Sequence, residues 1–230
     1  MGIMTKLFIL HGWTYQTATW DALRNELNIR GIEHEFLRMP GLTDGTNPVW
    51  TLDNYVEWLK EKVGGEKVVL YGHSHGGRVS LAFAAKYPND VERLILEDSA
   101  GIPPRGWRKF KRDVFRKSAE ALGHFVRFGN LRNVIRKAIR ASDYADATPE
   151  MRKTMSNLVA EDLGTILDRI KCPTLIMWGA LDTTTPLKDG ELMHRGIRGS
   201  RMIIIPDARH SPHITHPQKV ADIIEKELSA

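Results

Sequence analysis

A chain of 230 residues, 42% of them hydrophobic, can bury one sizeable core and falls in the range where an α/β domain is usually a single unit, so one domain with room for an insertion is expected. Its single cysteine, Cys172, excludes an internal disulfide, and its place before Pro173 at the head of an apolar run reads as a buried, inert thiol. The net charge of +5 is local: twelve Lys or Arg fall between Arg105 and Arg140 against two acids, Asp113 and Glu120, so a partner drawn by charge must address that segment.

In chain order, the apolar run Leu7 to Leu10 is too short for a signal-peptide core or a membrane span, and a cytoplasmic protein without a transmembrane segment is expected. Lys6 to Leu10 reads instead as a buried strand. A helix is predicted over Trp20 to Ile29, closed by Gly31, and a weaker strand over Glu33 to Arg38, ended by Met39-Pro40-Gly41. There follow a helix over Leu52 to Val63 closed by Gly64-Gly65, a strand over Lys67 to Tyr71, a helix over Arg78 to Tyr87 stopped by Pro88, and a strand over Arg93 to Leu96. From about 102 to 169 no strand pattern appears. Trp107, Phe110 and Val114, then Phe125, Phe128, Leu131, Ile135 and Ile139, fall at helical spacing, and a further helix opens at Thr148-Pro149. Strands over Thr174 to Trp178 and Met202 to Ile205 and a helix over Gln218 to Leu228 complete the chain. Short β-branched runs alternating with helices imply a doubly wound, mostly parallel α/β sheet covered on both faces, with 102–169 as a helical cap inserted in a single domain spanning 1–230. No internal repeat or low-complexity tract interrupts it.

The most specific local signal is Gly72-His73-Ser74-His75-Gly76-Gly77, between a strand and a helix. This is the nucleophile-elbow pattern: the serine sits on a tight strand-to-helix turn, and glycines two residues either side make room for its backbone. A serine is a poor nucleophile near neutral pH without a base and an acid to fix that base's tautomer. Asp182 follows the strand ending at Trp178, and His210 follows the strand ending at Ile205. The order Ser74, Asp182, His210 is nucleophile, acid, histidine. Taken singly, Asp182 reads as a turn former and His210 as a loop residue; their joint occurrence after consecutive strands favours chemistry. Asp98, which also follows a strand, is a rival acid. An oxyanion hole fits the backbone N–H groups of Trp13, in His11-Gly12-Trp13 after the first strand, and of His75 after the serine.

With these residues in place the chain resembles α/β-hydrolases of the carboxylesterase, lipase and C–C hydrolase type, over nearly its whole length. The resemblance implies hydrolysis of a small-molecule ester or related acyl bond through an acyl-enzyme, with no cofactor and no metal. C–C bond hydrolysis, acyl transfer and perhydrolysis on the same three residues remain alternatives. Such proteins commonly carry two strands before the His-Gly strand, so a shortened sheet of about six strands is expected here. The cap of such enzymes covers the active-site mouth, which makes Trp107, Phe110, Phe125 and Phe128 candidate substrate-binding residues, although such residues more often simply pack the cap on the core. A similarity to pimeloyl-carrier-protein methyl esterases, which pair a His-Gly-Trp loop with a basic cap, suggests an acidic partner such as acyl carrier protein at the basic segment; a solvated face is the plainer reading.

Two rivals of other classes stand beside this one. A metal hydrolase built on His210, His213 and His216, with His73 and His75, lacks an acidic ligand cluster. A non-enzymatic ligand- or polyanion-binding protein would use the basic cap; no nucleic-acid partner is expected.

Overall fold

The computed structural model describes residues 6–103, 147–159 and 161–229. Trp107, Phe110, Phe125 and Phe128, and the basic stretch from Arg105 to Arg140, lie outside the described residues. Six strands are described: β1 (Leu7–Leu10), β2 (His34–Leu37), β3 (Val68–His73), β4 (Val91–Glu97), β5 (Thr174–Gly179) and β6 (Arg201–Ile205). They form one sheet in the order β2-β1-β3-β4-β5-β6, with every neighbouring pair parallel. The described helices are α1 (Asp21–Ile29), α2 (Leu52–Val63), α3 (His75–Lys86), α4 (Pro149–Val159), α5 (Leu187–Gly196), α6 (Pro212–Thr215) and α7 (Pro217–Leu228). This is the α/β-hydrolase fold. Of the segment read as a cap, α4 and the short 3-10 turns Leu163–Thr165 and Leu167–Arg169 are described.

Successive side chains of a strand point to opposite faces, and here both faces are covered. Phe8 and Leu10 of β1, Leu70 of β3 and Ile176 of β5 join the core formed with α2 and α3. Leu7, Ile9, Val69, Tyr71 and Leu175 join the core formed with α1 and α7. That two-sided burial is why the central strands are continuous apolar runs. Each fully buried Leu or Ile contributes about 1.5–3 kcal/mol. The edge strands differ: His34, Glu35 and Phe36 are half-buried, and Ile204 of β6 is 45% exposed.

Helix α3 begins at His75, not at the expected Arg78, so Gly76 and Gly77 belong to its first turn. A Cβ on Gly76 would stand 2.0 Å from the Leu10 carbonyl oxygen. The glycine therefore serves close approach of the helix to β1 as much as the turn itself. From β2 the chain crosses back so that β1 and β3 become neighbours, which makes their carboxyl ends the switch point where open α/β sheets place ligands.

Candidate active site

Ser74 occupies that switch point. It leaves β3 and precedes α3 with φ 51° and ψ −112°, a conformation L-residues adopt at a cost of about 1–3 kcal/mol. The surroundings over-determine it. The Ser74 N–H donates to the Glu97 carbonyl (3.0 Å), and the Ser74 carbonyl accepts from the N–H groups of Ala100 (2.9 Å) and Arg78 (3.1 Å). With both backbone groups held, the side chain is turned outward, half-buried. A Cβ on Gly12 would lie 2.7 Å from His73 Nδ1 and 3.2 Å from Ser74 Cβ, so any larger residue there would have to displace the His73 ring or the loop after β1.

His210 and Asp182 arrive from the ends of β6 and β5. Ser74 Oγ donates to His210 Nε2 at 3.0 Å, and His210 Nδ1 donates to Asp182 Oδ2 at 2.8 Å. The two loops are pinned together by Leu181 N–H on the Ala208 carbonyl (3.0 Å). Asp182 sits in a polar cradle that sequence reading missed: the N–H groups of Thr184 (2.7 Å) and Thr185 (3.1 Å) donate to Oδ1, and the Thr185 hydroxyl to Oδ2 (2.6 Å). Burial pushes this carboxyl up, but the His210 ring and the threonine donors outweigh it and hold the group below its ordinary value. The only sign in the sequence was a threonine run after an aspartate, which is how an Asx turn looks.

Asp98 is fully buried beside Asp182, and among the described residues it makes no hydrogen bond to His210. Its Oδ1 accepts the Gly179 N–H at 2.9 Å, and its Oδ2 has no partner. Burial, with the charges of Glu97 and Asp182 nearby, pushes its carboxyl far upward, so it carries a proton at neutral pH.

Beneath the His210 loop lies a second network. Glu97 Oε1 accepts the His213 backbone N–H (2.8 Å) and Nδ1–H (3.1 Å), and the Tyr71 hydroxyl donates to Oε2. The His213 ring stacks on Trp20 at 3.8 Å. His73 Nε2 donates to the His210 carbonyl at 2.7 Å. Burial drives the Glu97 carboxyl up, but His213, His73 and Tyr71 together bring it to about 2. The loop bearing His210 is thus tied to the ends of β3 and β4 at two points. His213 and His216, joined in the rival metal reading, face Glu97 and Asp207 respectively.

Three imidazoles are kept neutral by burial: His11, lowered to about 4, and His73 and His75, lowered well below 6.5. Unfolded, each binds a proton near 6.5; folded, it cannot, so the stability they contribute is present above 6.5 and lost as pH falls toward their folded values. Asp98, protonated only in the folded state over this range, and Asp189, raised to about 6 mainly by burial, act in the opposite sense and offset part of the loss. The melting temperature is expected to be about 5–10 °C lower at pH 5 than at pH 7. A flat or rising profile in calorimetry would contradict the neutral buried rings.

Two cavities meet at the serine. One of about 800 Å³ is lined by Gly12, Tyr15, Leu42, Met151 and His210, among others. The other, of about 650 Å³, is lined by His75, Ile102, Met155, Leu158 and Leu192, among others. Ser74, Trp13 and Thr184 border both. Among the described residues, neither the Trp13 nor the His75 backbone N–H has an acceptor.

A sheet of this strand order with a serine elbow at its switch point defines an α/β-hydrolase, a hydrolytic enzyme. The chain belongs to the alpha/beta hydrolase fold family, whose model matches residues 27–217. It is 26% identical to the pimeloyl-acyl-carrier-protein methyl ester esterase of Proteus mirabilis over 244 aligned positions, covering 98% of this chain and 93% of that protein. It is 28% identical to the protein of the same name from Aeromonas hydrophila, covering 95% of this chain and 93% of that one. Among solved structures, a thermophilic esterase from Thermogutta terrifontis superposes with a TM-score of 0.65 at 25% identity, covering 98% of this chain and 89% of that one.

Proposed function

We propose that this protein is a serine hydrolase that cleaves carboxylic esters through an acyl-enzyme, with Ser74 as nucleophile, His210 as general base and Asp182 as the acid that orients it. The observation that carries the reading is the unbroken relay from Ser74 Oγ to His210 (3.0 Å) and from His210 to Asp182 (2.8 Å). Ser74 Oγ attacks the ester carbonyl carbon while its proton passes to His210 Nε2. Asp182 supports the imidazolium that forms. The N–H groups of Trp13 and His75 receive the oxyanion, a contribution of about 3 kcal/mol for each donor. On collapse, the C–O bond to the alcohol breaks and the alcohol leaves with the proton held on His210. Water, deprotonated by the same ring, then attacks the acyl-enzyme, releases the acid and returns the proton to Ser74.

The names of the relatives favour an ester of a small alcohol. Methyl esters of graded acyl length are the direct substrates to try, with a fluorophosphonate as covalent probe. The expected result is turnover together with stoichiometric labelling, and mass spectrometry places the adduct on Ser74. Turnover with no adduct, or an adduct elsewhere, would overturn the assignment. A second reading rests on the charge of 105–140 and on the carrier protein in the relatives' names: an acidic carrier presents the acyl group at the cap, so its turnover falls as salt rises.

A further inference from the structure

The cavity of about 650 Å³ beside Ser74 is bordered by a cation, Arg78, that has no ion-pair partner among the described residues. Arg78 lies in the first turn of α3, one turn beyond the serine, and its N–H donates to the Ser74 carbonyl at 3.1 Å. Its side chain is partly buried, and Nε is buried without a partner. Among the described residues no carboxylate comes within ion-pair distance of it. Other partly buried arginines are paired: Arg30 with Glu26 at 2.6 Å, Arg93 with Glu227 at 2.6 Å. Burial lowers the Arg78 guanidinium to about 10, only partly countered by Glu161. The positive end of a helix adds to the cost of a cation there. On the same wall His75 is buried with neither ring nitrogen bonded, its ring kept neutral by burial and by the charge of Arg78. Lys188 and Arg195 border the cavity against the acids Glu161 and Asp189. The wall between is largely apolar, formed by Ile102, Met155, Leu158 and Leu192.

We infer that this cavity takes an acyl chain ending in a carboxylate, with Arg78 and His75 as its receptor, so that the substrates are half-esters of dicarboxylic acids. A carboxylate matches the forked guanidinium geometry and supplies the missing counter-charge, while methylenes fill the apolar wall. The inference rests on the esterase reading of Ser74 but needs no carrier protein.

Monomethyl adipate and methyl hexanoate have the same chain length and differ at the far end, carboxylate against methyl. For the unaltered protein the ratio of kcat/KM, half-ester over neutral ester, is expected to be about 10 to 100. Arg78→Met is expected to reduce that ratio by a similar factor, and Arg78→Lys to restore part of it. Because the Arg78 side chain has no ion-pair partner among the described residues and its Nε is buried unbonded, the Met variant should melt no lower than the parent, which separates lost recognition from lost folding. An unchanged ratio in Arg78→Met, or a parent that prefers the neutral ester, would overturn the inference while leaving the esterase reading intact. Should neither ester be turned over, the esterase reading fails by itself. Calorimetry with Ser74→Ala then still decides the cavity: tighter binding of monomethyl adipate than of methyl hexanoate upholds it, and equal binding overturns it.

Discussion

Substituting Ser74 by alanine is expected to lower kcat on a methyl ester by about 10⁵- to 10⁶-fold, because the attacking atom is removed and His210 is left with nothing to deprotonate but water. A residual acceleration of about 10³- to 10⁴-fold over solution should persist from the oxyanion donors and from binding. Folding should barely change. Alanine keeps the Cβ, so the unusual backbone at φ 51° is no worse tolerated, and the backbone bonds to Glu97 and Ala100 are untouched. The variant loses one hydrogen bond, worth about 1 kcal/mol. Activity above one per cent of the parent, in a variant that melts normally and has been freed of contaminating esterase, would move the nucleophile elsewhere.

How much of this was legible in the chain depends on what each element has to bury. β1, β3 and β5 are wet on neither face, so their apolar runs stand out, and α2 stands out through its closing Gly64, while its capping box at Thr51 and Asn54 went unread. β2 was a weak signal because an edge strand keeps polar residues such as His34 and Glu35. Helix α5 gave no pattern, since only Gly190 and Met193 are buried on it. The start of α3 was misplaced because two glycines read as turn, when they are helix packed hard on β1 and on Ser99. Within the site, Ser74, His210 and Asp182 were readable because topology sends the carboxyl ends of parallel strands to one edge. The network of Glu97, Tyr71, His73 and His213 was not. Its contacts join positions more than a hundred residues apart, as between Glu97 and His213, and only the folded sheet brings them together. Arg78 escaped for a related reason: a cation in a helix carries no sign of whether an acid will face it.

The choice between Asp182 and Asp98, left open by sequence because both follow strands, turns on which oxygen meets which hydrogen. Asp182 Oδ2 accepts from His210 Nδ1, so Asp182→Asn forces an amide into that position. The amide can turn its NH₂ toward the ring and bond the tautomer with its proton on Nε2, the nitrogen that must be free to receive the serine proton. A loss of about 10⁴-fold in kcat is expected. Asp98→Asn changes far less. Asp98 is already uncharged at neutral pH, asparagine has its shape, and the side-chain oxygen still accepts the Gly179 N–H now held at 2.9 Å. A change within about fivefold is expected, by the logic that an isosteric neutral exchange that strands no partner costs little. The two variants assayed together at pH 7 and 8.5 decide the matter. A deep loss in Asp98→Asn with a shallow one in Asp182→Asn would reverse the assignment and require His210 to turn toward β4 in the working enzyme.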